Sequence, residues 1–215
     1  KWMANWEKET GGKMLAIPHN GNLSNGWMFP LVDNFDKDNP LDDAYLSTRS
    51  RWEPLVEITQ TKGDGEAHPL LSPDDAFADF ETWDMGNLDV SQAKTPDMLP
   101  GEYVRSALKR GLEFDASRGI NPYKFGIIGS TDTHTALSTN GEDNFFNKMT
   151  PHEPKPWRSA GNDKHNRKLG ITRANWQTAA AGVVAVWAKE NTRGDIFDAM
   201  QRKETFATTG PRIRA

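Results

Sequence analysis

Three short apolar runs of strand character alternate with helix-like stretches in this chain, and each carries a cation-binding side chain at or near its C-terminal end. The runs are Met14 to Pro18, followed at once by His19; Pro54 to Gln60, with Glu57 inside it; and Lys124 to Thr131, which opens into Asp132 and His134. Strand, helix and strand in alternation argue for an α/β fold, with mainly parallel strands joined by crossover helices. In barrels of such strands the C-terminal edge is where active sites are built. Residues i and i+2 of a strand share a face. Asp132 and His134 therefore project together, a carboxylate and an imidazole that can grip one divalent cation. The bland alternative is that Asp132 caps the next turn and His134 lies on the surface. Glu57 is costly to bury in an apolar run unless it is paired or metal-bound; Arg51 is its candidate structural partner. His19 alone reads as an ordinary loop histidine, and as a ligand once it is set beside the Asp-x-His pair.

The first stretch to Thr10 reads as a helix stopped by Gly11 and Gly12. A loop spans Asn20 to Asn39, and a helix runs from Asp42 to Arg51. Ser72, Pro73, Asp74 and Asp75 form a helix start, with the helix expected to reach about Thr82. The strongest helix is Glu102 to Ala116, with an apolar stripe of Tyr103, Ala107, Leu108, Leu112 and Phe114. Residues 138–170 are poor in aliphatic side chains and rich in Asn, Lys, Glu and Pro. They read either as a lid over the site or as a solvated insertion. A buried strand at Ala181 to Trp187 precedes a helix capped by Thr192 and a last strand, Thr205 to Thr209. The whole of 1–215 reads as a single domain.

The segments AIPHNGN, LVEITQTKGDGE, FGIIGSTDTHT and ETFATTGPRIR resemble the bacterial domain-of-unknown-function family 3604, within the PHP (polymerase and histidinol phosphatase) superfamily of metal-dependent hydrolases. The resemblance runs from about Lys13 to Arg214. It implies a distorted, TIM-like (β/α) barrel of PHP type. By the same resemblance His19, Asp132 and His134 match metal-ligand positions, and Glu57 is a ligand or supports one. PHP proteins open with an HxH motif, and none of the five histidines here forms one. The expectation is therefore a C-terminal part of such a barrel, inactive alone and prone to self-association through a cut edge.

The expected cofactor is Zn²⁺, Mn²⁺ or Fe²⁺, since imidazole and carboxylate without thiolate suit these ions, and the resemblance extends this to a multinuclear cluster in a full-length protein. Asp132, His134 and Glu57 would be catalytic, and the reaction the hydrolysis of a small-molecule ester, in particular a phosphoester, by metal-activated water. Lys62 and Arg105 are candidates for contact with a substrate anion, against the plain reading of solvated surface charges. Asn20 and Asn22 would orient substrate or the ligand histidine, against the plain reading of turn residues. A net charge of −4 with scattered basic residues argues against nucleic acid, and no apolar stretch reaches transmembrane length. The absence of cysteine removes disulfides and thiolate catalysis, and leans towards a periplasmic or secreted setting without fixing it. Eight tryptophans keep a competing class open, a carbohydrate- or ligand-binding module using Trp27, Trp52, Trp83, Trp157 and Trp176 as platforms. A third class is a structural remnant that needs a missing half.

Overall fold

The structure is a computed structural model, and it describes residues 1–36, 38–134, 136, 140, 141, 144, 145, 148, 156, 160–177 and 182–209. Helix α1 (Trp2–Thr10) ends on Gly11 in the left-handed conformation, whose N–H bonds the Glu7 carbonyl. Helix α2 (Asp43–Trp52) starts where the Asp42 carboxylate accepts the Tyr45 N–H. Arg49 and Arg51 lie in its last turn, where positive charge suits the helix dipole. Strand β1 (Leu55–Gln60) is buried along its whole length. It turns at Thr61 and Lys62 into the short strand β2 (Gly63–Asp64), which pairs back on it antiparallel.

Helix α3 (Val104–Arg118) is the crossover that brings strand β3 (Gly126–Gly129) alongside β1 in parallel, with Leu55 opposite Gly126 and Thr59 opposite Gly129. The sheet order is β2-β1-β3. Val104, Ala107, Gly111 and Phe114 form the buried stripe of α3, while Leu112 points to solvent. Gly111 belongs to that stripe because a Cβ there would run into the Asn121 side chain and crowd Tyr123. The chain returning from the helix can lie against it only because the side chain is missing. Phe29, Leu41, Leu46, Val56, Ile58, Phe114 and Tyr123 complete the main core with α3. A smaller cluster joins Leu23, Trp83, Val90 and Ile171.

Three antiparallel hairpins follow: β4 (Asn140–Gly141) with β5 (Asn144–Phe145), β6 (Asn162–Asn166) with β7 (Ile171–Ala174), and β8 (Val183–Val186) with β9 (Thr205–Thr208). Helix α4 (Arg193–Gln201), capped by the Thr192 hydroxyl on the Asp195 N–H, lies between β8 and β9. The last pair packs on β3: the Thr205 hydroxyl donates to the Ile127 carbonyl at 2.9 Å, and Gly182 packs against Thr208 too closely to admit a Cβ.

The expected parallel barrel is corrected by this architecture. Among the described residues the sheets have two or three strands, only β1 and β3 pair in parallel, and no barrel closes. Two connections explain why. The turn after β1 is too short for a crossover and forces a hairpin. Helix α4 does not travel back along the sheet, because the Trp187 N–H bonds the Glu204 carbonyl at 2.9 Å. The chain therefore re-enters at the end where it left, and β9 runs against β8. Two local expectations also change. Met14 to Pro18 forms no strand, although Ala16 N–H bonds Trp52 O and Pro18 O accepts the Glu57 N–H, so the segment still follows β1. Residues 72–82 form successive turns rather than a helix. Phe77 is 80% exposed, so the segment has little apolar face to bury, and the Asp75 carboxylate takes the Phe77 N–H in a competing local bond. About half of the segment 138–170, read as lid or insertion, lies outside the described residues, as do residues 210–215.

Candidate functional site

The C-terminal ends of β1 and β3 and the segment from Met14 to His19 lie side by side, and their polar side chains meet. Glu57 is 9% exposed. Burial raises its pKa; the Ser130 hydroxyl, which donates to Oε2, the charge of His19 and the Asn20 N–H counter that shift, and the charge of Asp132 adds to it. Two carboxylates and an imidazole are thus close enough to feel one another.

Asp132 follows β3 in the left-handed conformation at φ 52°. Aspartate tolerates that region better than most residues. Burial works to raise its pKa, but the ammonium groups of Lys148 and Lys62, both bonded to Oδ2, outweigh it and hold the carboxyl below its ordinary value. Lys62 sits on the β1–β2 turn with its side chain 8% exposed. Burial, opposed by Asp132 and helped by Lys148, pushes its pKa down to about 8.

Both candidate histidines are held the same way. His134 Nδ1 lies 2.6 Å from the Asp132 carbonyl, and His19 Nδ1 lies 3.1 Å from the Ile17 carbonyl. A carbonyl only accepts, so each bond places a proton on Nδ1, and a neutral ring in that tautomer carries its lone pair on Nε2. That is the arrangement in which proteins present imidazole to a metal. His134 is also anchored by its N–H on the Lys148 carbonyl at 2.8 Å, and its Nδ1 is 3.8 Å from Asp132 Oδ1.

Asn20 is left-handed at φ 60° and accepts a 2.5 Å bond from Gln60 Nε2, while Gln60 Oε1 takes the Lys62 N–H. Buried Asn22 donates to the Lys62 carbonyl at 3.3 Å. These side chains fix the turn that carries Lys62. Arg105 is engaged elsewhere, by Glu66 at 2.7 Å and Asp75 at 2.6 Å. Arg51 pairs with Glu7 at 2.8 Å and not with Glu57. Of the tryptophans read as platforms, Trp52 and Trp83 are buried, Trp27 stacks edge-on with Phe35, and Trp176 is exposed. Trp157 lies outside the described residues.

For a metal ion, two imidazole nitrogens and two carboxylates are the right donors for Zn²⁺, Mn²⁺ or Fe²⁺. Among the described residues no three of them are gathered closely enough to hold one, and two ammonium groups engage Asp132 Oδ2. The donor set fits in kind, and an incoming ion would compete with Lys62 and Lys148 for that oxygen. Sequence reasoning missed Ser130 and Lys148. Ser130 lies one residue past β3 and could have been inferred as a partner for Glu57 from the parallel pairing. Lys148 comes sixteen residues after Asp132 with no motif to mark it.

Behind the Lys62 turn, Asp64 accepts the N–H groups of Glu66 and Ala67. Burial, with the charges of Glu66 and Glu81 adding to it, raises its pKa from 3.8 to about 7 despite those bonds. A carboxyl that holds its proton more tightly in the fold loses stability as pH rises from the unfolded to the folded value. The penalty is complete above about 7 and amounts to on the order of 4 kcal/mol. Asp64→Asn, which keeps an acceptor oxygen, is expected to flatten the fall in stability between pH 5 and 7, as read by urea denaturation at about unit pH steps. An unchanged slope would remove Asp64 as its source.

The described residues therefore form small, mostly antiparallel sheets with a few helices, and carry carboxylate, lysine and histidine side chains near the ends of the one parallel strand pair. A family described as "Protein of unknown function (DUF3604)" matches residues 1–215, and the chain belongs to that family. No curated protein and no solved structure matches it. No helix among the described residues is long and apolar enough to cross a membrane.

Proposed function

We propose that this chain is part of a metal-dependent hydrolase of the PHP superfamily, acting on phosphoesters. One observation carries the reading: at the ends of β1 and β3 the charge of Asp132 adds to the cost of ionising buried Glu57, the charge of His19 offsets it, and His19 and His134 each set Nδ1 against a backbone carbonyl, so that a neutral ring keeps its lone pair on Nε2. A buried pair of like charges is relieved by a cation. His19, Glu57, Asp132 and His134 would hold a divalent ion, which when bound lowers the pKa of water and polarises a phosphoryl oxygen. The chain's own groups prepare for this. The Ile17 and Asp132 carbonyls fix the tautomers of the two histidines. Ser130 orients Glu57. Because Glu57 holds its proton more firmly than an ordinary glutamate, a cation there competes with that proton, and its binding strengthens as pH rises.

The test is titration of the protein with Mn²⁺ and Zn²⁺, followed by melting temperature and elemental analysis, in wild type, His19→Ala, Glu57→Gln and His134→Ala. Wild type is expected to be stabilised, and each variant to need at least about tenfold more metal. Hydrolysis of a phosphomonoester should fall in the same order. Failure of the wild type to bind either ion overturns the reading. Tight glycan binding by a protein that binds neither ion would favour the aromatic binding module instead.

A further inference from the structure

A deeply buried ion pair lies behind the site. Lys94 donates to Glu102 Oε1 at 2.5 Å, and the two side chains are 5% and 0% exposed. Burial leaves the Lys94 pKa below its ordinary value and that of Glu102 above it, although each charge offsets the shift of the other. Ionising this pair is therefore harder than in water, and an uncharged pair of similar shape would hold the fold about as well. What the two ions supply is direction. Lys94 makes a second bond, to the Asn22 carbonyl at 2.7 Å, and Glu102 Oε1 also accepts the Gly26 N–H at 3.1 Å. The segment from Asn22 to Gly26 thus hangs on one pair at both ends. Two glycines let the backbones close up: a Cβ on Gly21 would strike the Glu102 carbonyl, and one on Gly101 the Gly26 carbonyl. Asn22 carries the constraint forward. It is buried within the single 3₁₀ turn Gly21–Leu23, so its carbonyl and its side chain move together. That side chain donates to the Lys62 carbonyl at 3.3 Å, and the Lys62 ammonium group reaches Asp132 Oδ2. Asn20, which follows His19, takes its 2.5 Å bond from Gln60 on the same side.

From this chain of contacts we infer that Lys94 and Glu102 are positioning residues: acting through Asn22, they hold the Lys62 turn where its ammonium group meets Asp132. The inference rests on the hydrolase reading above and deepens it, by naming what fixes the geometry of that site from outside. A pair that served stability alone would need only its own mutual bond. This one is also bonded to the one residue whose side chain reaches across to the Lys62 turn. Removing both charges together strands neither of them, so the fold survives while the orientation of Asn22 is released.

The experiment compares wild type with Asn22→Ala and with the double variant Lys94→Met, Glu102→Gln, which removes both charges and keeps an acceptor oxygen for Gly26. Each protein is labelled briefly with acetic anhydride at neutral pH. Mass spectrometry reads the rate of acetylation at Lys62 against that at exposed Lys8, and the melting temperature is measured alongside. The double variant is expected to melt within about 5 °C of wild type. Its Lys62 is expected to react at least about fivefold faster, the change that one lost hydrogen bond allows. Asn22→Ala keeps the ion pair and cuts the link, and should show the same gain. A purely structural pair predicts the reverse, a lower melting temperature with Lys62 as protected as before. Acetylation of Lys62 at the wild-type rate in Asn22→Ala, or in the folded double variant, overturns the inference. If the double variant does not fold, Asn22→Ala carries the test. Turnover of p-nitrophenyl phosphate with Mn²⁺ is followed in the same proteins, and kcat is expected to fall at least about tenfold in both variants. An unchanged kcat in the variants of an active protein overturns the inference too. No turnover by wild type would count against the hydrolase reading and leave acetylation to decide the positioning role.

Discussion

Asp132→Ala is expected to destabilise the fold by about 3–5 kcal/mol at neutral pH, the cost of stripping a nearly buried ion pair of one partner. The carboxylate, 14% exposed, stands between two ammonium groups that are 8% and 15% exposed. Its removal leaves both lysines facing each other. For a chain of this length the change lowers the melting temperature by roughly 10 °C. The double variant Asp132→Ala with Lys62→Met should recover part of the loss, because it removes the Lys62 charge that Asp132 offset. The pH dependence has a definite sign. Asp132 has its carboxyl pKa depressed in the fold, so its contribution is present above the ordinary value of 3.8 and is lost as pH falls through the lower, folded value. The gap between wild type and variant should therefore be full at pH 7 and close in strong acid. Urea denaturation at the two pH values measures it. A variant as stable as wild type at pH 7 would mean that the lysine–aspartate–lysine contact does not form in solution.

The second large effect is in the core. Tyr123→Ala should cost about 3–5 kcal/mol. Tyr123 is fully buried and lies within 6.1 Å of the rings of Phe29, Phe114 and Phe125, with the Arg49 guanidinium 4.9 Å from its centroid. Its hydroxyl donates to the Pro30 carbonyl, which ties the loop after Phe29 to the segment leading into β3. Burial raises the phenol pKa well above its ordinary value, so it stays protonated and able to donate across the working pH range. Tyr123→Phe keeps the rings and loses only that bond, and should cost about 1 kcal/mol. Equal losses in the two variants would show that the hydrogen bond, not the packing, holds this region.

The elements the sequence determined by itself are those whose signals are local. Strand β1 was legible from a short run rich in apolar and β-branched residues, α2 and α4 from Asp42 and Thr192 at their starts, and the end of α1 from Gly11, because capping and periodicity are decided within a few residues. The candidate residues stood out for a similar reason. Asp132 and His134 lie two residues apart, and a glutamate inside an apolar strand stands out whatever surrounds it. Family membership, too, was carried by short motifs read in order.

Only the tertiary structure decided the rest. Whether β9 runs with or against β8 depends on where α4 delivers the chain, and alternation of strand and helix does not say. Residues 72–82 have every N-terminal helix signal and form turns, since a helix of that length is held mainly by the face it buries. The same holds at the site. Nothing local pairs Lys62 with Asp132 across seventy residues, or brings Lys148 to the same oxygen. Those contacts exist because β1 and β3 lie side by side in parallel register, which sets the turn after one strand against the loop after the other. Sequence names the charged groups, but which of them share a carboxylate is fixed by contacts between distant segments.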